Sequence, residues 1–118
     1  MIDATNTTPR VFFDGDKGIL QIEGNSLVSN ATSFYENIID EVIDYKKHPV
    51  EILILDIYID YMNTSSAKMI YELFLATKGL NAKVIWKYTE EEMLEAGIDY
   101  ESLVNDIGLK FEFVKIDQ

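Results

Sequence analysis

The sequence contains no cysteine, a single histidine and only two prolines in 118 residues. The absence of cysteine excludes disulfide bonds, thiolate zinc sites, iron–sulfur clusters and a cysteine nucleophile. No apolar run approaches the ~18 residues of a membrane-spanning helix, and the first ten residues lack the basic-then-apolar layout of a signal peptide. We therefore expect a soluble protein of the reducing cytoplasm that does not insert into membranes.

Basic residues are also scarce, since 10 Lys and Arg stand against 21 Asp and Glu, and the formal net charge is −11. The only adjacent basic pair is Lys46 and Lys47. Nucleic acids and anionic membrane surfaces are bound by clustered Lys and Arg, so neither is an expected partner. A protein partner with a basic surface fits this charge.

Length and composition predict one domain over residues 1–118. The chain is 47% hydrophobic, and a fold of this size buries roughly two-thirds of the surface of its unfolded chain. No repeat, low-complexity tract or linker interrupts it. We expect residues 1–8 to form a flexible N-terminal tail.

The first part of the chain predicts a hairpin followed by a helix. Two β-prone runs, 11–13 and 19–22, are separated by turn residues over 14–18. Capping residues over 29–32 then precede apolar residues at helical spacing, and this helix is expected to end before Pro49.

The rest of the chain alternates strands and helices. Residues 50–61 are apolar on both faces at their start, which predicts a central strand covered on two sides. A helix that follows the polar run 63–66 and ends at Lys78-Gly79 comes next. A strand at 84–86, one or two short acidic helices and a last strand at 111–116 complete the chain. The order β-β-α-β-α-β-α-β predicts an α/β fold with a mixed sheet of about five strands, helices packed on it and right-handed crossovers.

The run Asn63-Thr64-Ser65-Ser66 is the first candidate site, because three hydroxyls and an amide stand where a helix follows the central strand. Helix N-termini present unpaired N–H groups and the positive end of the helix dipole, which favour a phosphate. The simpler interpretation is that Asn63 or Thr64 only caps the helix, a contribution of ~1 kcal/mol. Three consecutive hydroxyls exceed what one cap requires, which favours a phosphoacceptor.

A second pattern is the pair Asp56 and Asp60 on one face of the central strand, beside Tyr58. Such a pair could serve acid–base chemistry, so a small hydrolase is an alternative of another class. No partner nucleophile, metal-ligand cluster or glycine-rich phosphate loop accompanies these residues. We therefore predict no catalytic residue, no metal site and no cofactor.

Two strings carry a resemblance to a known family: residues 63–68, which read Asn-Thr-Ser-Ser-Ala-Lys, and residues 95–100, which read Glu-Ala-Gly-Ile-Asp-Tyr. Further matches run from Thr8-Pro9 to Phe111-Glu112-Phe113. The sequence resembles the SiaC-type regulatory phosphoproteins of bacteria, whose fold is similar to STAS domains. It departs from the family at Val28-Ser29, where a Pro-Glu pair is frequent, and at Lys87, where an aromatic residue is common.

The resemblance implies a switch protein and not an enzyme. In this family the Thr that corresponds to Thr64 is phosphorylated by a dedicated serine/threonine kinase and dephosphorylated by a metal-dependent phosphatase. The unphosphorylated form activates a diguanylate cyclase, which raises cyclic di-GMP and favours biofilm growth. The expected partner surface surrounds Thr64 and comprises Asp60, Tyr61, Met62, Asn63, Ser65, Ser66 and Lys68. An anti-sigma-factor antagonist is the alternative within signalling, since STAS-like proteins are phosphorylated at the same strand-to-helix junction.

Overall fold

A computed structural model describes residues 1–117 of the chain. The five strands are β1 (Arg10–Asp14), β2 (Ile19–Ser26), β3 (Leu53–Met62), β4 (Ala82–Tyr88) and β5 (Lys110–Lys115). The helices are α1 (Ala31–Tyr45), α2 (Thr64–Leu75) and α3 (Glu91–Leu103), and a short 3₁₀ turn covers Asn105–Ile107. Within the described residues, no helix is both long enough and apolar enough to cross a membrane.

The strands form one sheet in the order β1-β2-β3-β4-β5. β1 pairs antiparallel with β2, and every later pair is parallel. The predicted mixed five-stranded α/β fold and its element order are therefore confirmed. β3 is the central strand, as its apolar character predicts.

All three helices lie on one face of the sheet. The strand residues on that face are buried, among them Leu20, Leu55 and Trp86. Successive right-handed crossovers that always add the next strand on the same side leave every helix on the same face. The prediction that β3 is covered on two sides is wrong, because its other face carries no helix and its residues Ile54, Asp56 and Tyr58 are only half-buried.

Aromatic rings fill the core below α2 and α3. Phe74 of α2 meets the rings of Trp86, Tyr100 and Phe111 edge to face, with centroids 5.1–6.5 Å apart. The Trp86 indole N–H donates to the backbone carbonyl of Met93 at 2.7 Å, which satisfies the one polar atom of a buried ring. This contact fixes α3 on β4.

Where the sequence predicted one or two short acidic helices, the structure has one helix, α3, followed by the 3₁₀ turn. Gly97 sits in the middle of α3, where glycine costs helix stability. A Cβ atom there would lie 2.5 Å from Cδ1 of Trp86 and 2.9 Å from Cε1 of Phe113. The absence of a side chain at Gly97 thus allows α3 to approach the sheet.

Residues 1–8, which the sequence predicted as a flexible tail, carry backbone hydrogen bonds to the sheet. Ile2 forms an antiparallel bridge with Val11, at N···O distances of 2.8 and 2.9 Å. Thr5 and Thr8 close a turn, and the carbonyl of Thr7 accepts from the N–H of Leu27 at 2.8 Å. The structure thus holds this segment against β1 and the end of β2.

Candidate functional site

The candidate site is the junction between the end of β3 and the start of α2. Asn63 is the N-cap residue: its side-chain oxygen accepts from the N–H of Ser66 at 2.9 Å. The Asn63 amide N–H donates in turn to the carbonyl of Val28 at 2.9 Å. Because Asn63 supplies the cap, the Thr64 side chain is not needed for it.

The three hydroxyls of the junction have different environments. Thr64 is exposed, and no hydrogen bond of its hydroxyl occurs among residues 1–117. Ser65 is exposed, but its hydroxyl lies 3.3 Å from the Val28 carbonyl and 3.2 Å from Oδ1 of Asn63. Ser66 is 0% exposed. Only the Thr64 hydroxyl is both open to solvent and without a partner in the described part of the chain.

The backbone under the junction is held by β2 and α1. The N–H of Asn63 donates to the carbonyl of Ser26 at 3.1 Å. The Ser26 hydroxyl is itself hydrogen-bonded to the phenol of Tyr35 at 2.6 Å, inside the core. Burial raises the pKa of Tyr35 to about 12, and the Ser26 hydrogen bond opposes that rise. Tyr35 is thus a neutral, buried support for the loop that presents Thr64.

The flanking residues expected at the partner surface lie around this junction. Asp60 and Lys68 are exposed, and Tyr61 is 66% exposed. Met62 is half-buried, with its sulfur 4.0 Å from the phenol oxygen of Tyr100. Lys68 follows Thr64 by four residues on α2, so the two side chains are neighbours on the helix surface. Their role in binding stays a prediction.

The sequence analysis did not identify two groups that belong to the site. One is the Val28 carbonyl, which accepts from both Asn63 and Ser65. The other is Tyr100 of α3, whose phenol donates to the carbonyl of Ala67 at 2.6 Å and so ties α3 to the first turn of α2. Burial raises the pKa of Tyr100, so this donor stays protonated at neutral pH. Tyr100 belongs to the 95–100 string, and that match was its only sequence signal.

The two departures from the family pattern fall in different places. Val28 adjoins the junction and contributes its carbonyl to it. Lys87 lies on the uncovered face of the sheet, where its ammonium contacts both carboxylate oxygens of Asp56 at 3.1 and 3.2 Å. Of the two departures, only the one at Val28 touches the candidate site.

The carboxylate pair that could suggest a hydrolase does not converge. Asp56 is held by Lys87 and accepts from the Gln21 amide at 3.4 Å, whereas Asp60 is exposed near the end of β3. Four residues along a strand separate them by roughly 13 Å. No group of three or more His, Cys, Asp or Glu side chains that could hold a metal ion occurs among the described residues. The described residues thus provide an exposed hydroxyl at Thr64, and they do not bring Asp56 and Asp60 together as an acid–base pair.

The fold is that of solved SiaC structures. A chain from the crystal structure of the diguanylate cyclase SiaD in complex with its activator SiaC from Pseudomonas aeruginosa has a TM-score of 0.86 and 24% identity, and the match covers 98% of each chain. Apo-SiaC from the same organism has a TM-score of 0.85 and 24% identity, over 96% of this chain and 95% of that one. A further SiaC structure has a TM-score of 0.86 at 23% identity and covers 98% and 96%. At this level of identity, the likeness establishes the fold.

Membership of a family comes from the sequence itself. No curated protein matches the chain. The model of the SiaC family regulatory phosphoproteins matches residues 2–116, nearly the whole length, and it includes the junction at Thr64. The chain therefore belongs to the SiaC family of regulatory phosphoproteins.

Proposed function

We propose that this protein is a phosphorylation-controlled activator of a diguanylate cyclase, with Thr64 as the phosphoacceptor and the unmodified form as the active one. The observation that carries the proposal is the environment of the three hydroxyls: Thr64 is exposed and unpaired in residues 1–117, whereas Ser65 is hydrogen-bonded and Ser66 is buried. A solved SiaC is described as the activator of the cyclase SiaD, which supports a cyclase as the partner class.

The free protein tolerates a phosphate at this position. Thr64 is the first residue of α2, where unpaired N–H groups and the helix dipole favour negative charge by ~0.3–1 kcal/mol. Lys68, one turn further on, is the only basic residue of α2 and lies within reach of a phosphate on Thr64. Phosphorylation therefore leaves the fold intact.

A docked partner does not tolerate the same group. The modification adds about −1.5 to −2 charges at neutral pH. Burying that charge against a surface without a paired cation costs several kcal/mol, and ~1.4 kcal/mol already lowers affinity tenfold. Phosphorylation consequently acts on binding and not on folding.

In this proposal the protein itself catalyses nothing. It works in the bacterial cytoplasm, where a dedicated serine/threonine kinase adds the phosphate and a metal-dependent phosphatase removes it, as the family resemblance implies. Pairing of Asp56 with Lys87 supports the non-catalytic role, because it occupies a carboxylate that an acid–base mechanism would need.

The direct test is phosphopeptide mapping after incubation with the cognate kinase. We expect one phosphate on Thr64, none in Thr64→Ala and normal labelling in Ser65→Ala, the matched control at the neighbouring exposed hydroxyl. Modification that persists in Thr64→Ala would contradict the assignment.

The partner class is tested with the unmodified protein as bait. Recovery of a protein with a diguanylate cyclase domain, and increased synthesis of cyclic di-GMP when the two purified proteins are mixed, are the expected results. Recovery of an anti-sigma factor in its place would support the anti-sigma-factor antagonist and overturn the cyclase proposal.

A further inference from the structure

The two edges of the sheet differ in whether their backbone groups have partners. At the β1 edge, Ile2 exchanges two backbone hydrogen bonds with Val11, at 2.8 and 2.9 Å. At the other edge, β5 pairs with β4 alone. Among residues 1–117, no backbone hydrogen bond from a loop or turn reaches β5. The sheet can therefore be extended by another strand at β5.

The direction of the backbone groups of β5 follows from its bond to β4. The N–H of Ile116, which continues the strand, donates to the carbonyl of Tyr88 on β4 at 2.7 Å. The N–H and C=O of one residue lie on the same side of a strand, and that side alternates from residue to residue. The groups of Phe111, Phe113 and Lys115, at odd distances from Ile116, therefore face away from β4. They present donors and acceptors to an incoming strand.

The side chains of β5 add an apolar surface beside these groups. Phe111 and Phe113 are half-buried, and their rings stack with centroids 6.0 Å apart on the helix-covered side of the sheet. A groove of about 580 Å³ adjoins them between the end of α3 and the start of β5, and Leu109 and Phe111 line its strand side. An edge strand that carries apolar side chains is a template for pairing with a further strand.

The charges of β5 select one register for a second copy of the same strand. Two copies related by a two-fold axis pair antiparallel, and residues of the same face then stand opposite one another. A register centred on Lys110 or Glu112 places that residue opposite its own copy, and like charges directly opposite each other are destabilising. A register centred on Phe113 leaves Glu112 opposite Val114 of the second copy. Only the register centred on Phe111 places Lys110 opposite Glu112, and it does so twice.

We propose that β5 pairs with β5 of a second copy of the chain in the register centred on Phe111, which joins two five-stranded sheets into one continuous sheet. Phe111 then exchanges hydrogen bonds with Phe111 of the second copy, and Phe113 lies opposite Leu109, beside the groove. The two stacks of aromatic rings meet across the axis, and aromatic cross-strand pairs stabilise a sheet. Such a dimer is independent of the proposed function.

The pairing closes on itself, because the same strand serves both copies. Addition of β5 to the β1 edge of a second copy would instead repeat without limit and form a filament, but Ile2 occupies the backbone groups of Val11 at that edge. The net charge of −11 opposes association at long range, and this repulsion is screened beyond about 8 Å at physiological salt. The facing Lys110 and Glu112 side chains lie well within that distance.

The first test measures self-association of the full chain by sedimentation velocity at physiological salt, over a series of protein concentrations. We expect a monomer–dimer equilibrium for the wild type. Lys110→Glu should weaken the dimer at least tenfold, because position 110 then faces Glu112 of the second copy with like charge. Lys17→Glu, the same change at an exposed residue of the β1–β2 turn, should leave the dimer within twofold of the wild type. A wild type that stays monomeric, or equal effects of the two changes, overturns the proposal.

The charge-swapped variant Lys110→Glu/Glu112→Lys tests the register. In the wild type Glu112 also contacts Lys83 at 2.7 Å, and position 110 lies directly opposite Lys83 in the pairing of β4 with β5. The swap therefore keeps a carboxylate beside Lys83 while it restores opposite charges between the two copies. We expect its dimer affinity to return to within threefold of the wild type. An affinity as low as that of Lys110→Glu alone contradicts the register centred on Phe111.

Disulfide crosslinking gives an independent test, because the chain contains no cysteine. A mixture of the Lys110→Cys and Glu112→Cys proteins should form a mixed disulfide under mild oxidation, since residues directly opposite in antiparallel strands bring their Cβ atoms to about 4.5–5.5 Å. Neither variant should crosslink alone, because each position then stands two residues away from its own copy. Crosslinking of Glu112→Cys alone would show a different register, and a mixture that forms no disulfide would overturn the dimer.

Discussion

The two faces of the sheet differ in how their charges are balanced. On the helix-covered side, α1 and α3 together carry nine acidic residues and no basic one. On the uncovered face, the strands carry four basic and five acidic residues, which are Arg10, Lys83, Lys87, Lys110, Asp14, Glu23, Asp56, Asp60 and Glu112. Three ion pairs join them, at 2.7 Å for Lys83–Glu112, 3.1 Å for Lys87–Asp56 and 3.8 Å for Arg10–Glu23.

This difference indicates where the protein interacts with others. The uncovered face pairs six of these nine charges within the chain, so a charged partner gains less there. On the helix side, α1 and α3 keep an excess of negative charge, of which the exposed pair Lys47–Asp44 offsets one, and the same side presents Thr64. We therefore expect partner binding and its control by phosphorylation on the helix side.

The largest effect should come from moving α3 off the sheet. Gly97→Val would place side-chain atoms where even a Cβ lies 2.5 Å from Trp86, so we expect a loss of ~3 kcal/mol of unfolding free energy. Urea unfolding of this variant beside Ile98→Ala, an exposed control on the same helix, measures the loss. Equal midpoints for Gly97→Val and the wild type would show that α3 does not pack as described.

Alkaline pH should weaken the helix side through Tyr35. Its pKa is raised from 10.0 to about 12 by burial, so the folded state holds the phenol proton more tightly than the unfolded state does. The linked stability is fully present below pH 10 and falls by up to ~2–3 kcal/mol as the pH rises from 10 to 12. Urea midpoints across this range should fall less steeply for Tyr35→Phe, and identical slopes would contradict the assignment.

A smaller effect is expected on the uncovered face. Lys87→Met leaves the Asp56 carboxylate, whose side chain is only 19% exposed, without its cation, and should cost ~1–2 kcal/mol of unfolding free energy. Because Lys87 lies away from the candidate site at Thr64, the affinity for the cyclase should stay unchanged. A large loss of affinity in a folded Lys87→Met protein would remove the distinction between the two faces.

The smallest expected changes in stability distinguish Asn63 from its neighbour Thr64 at the junction. Asn63→Ala removes the helix cap and should cost ~1 kcal/mol. Thr64→Ala removes a hydroxyl without hydrogen-bond partners in the described chain and should cost less than ~0.5 kcal/mol. Thermal melts of both variants test this order, and the reverse order would mean that Thr64 is a structural residue.

Much of the local structure was predictable because short-range chemistry determines it. Turn residues between two β-prone runs predicted the hairpin, and the capping residues over 29–32 and at 63–64 predicted the starts of α1 and α2. The structure assigns the two caps to Asn30 and Asn63. The exposed position of Thr64 follows from the same signal, since a cap residue and the first turn of a helix stand at its end.

The rest depends on contacts between distant parts of the chain. The difference between Thr64 and Ser65 arises from the Val28 carbonyl, and α3 is joined to the first turn of α2 by the hydrogen bond of Tyr100 to Ala67, 33 positions away. The single-sided sheet depends on the direction in which the strands are added, which strand periodicity does not contain. For the same reason, the positions of Asp56 and Asp60 along β3 could not predict that the Lys87 ammonium of β4 lies beside Asp56.

The central claim is that phosphate on Thr64 controls binding on the helix side without disturbing the fold. Its most direct test is calorimetric titration of the cyclase with unmodified and stoichiometrically phosphorylated protein, with thermal melts of both. We expect at least tenfold weaker binding after phosphorylation and melting temperatures that agree closely. Equal affinities, or a phosphorylated protein that has lost its folded structure, would contradict the claim.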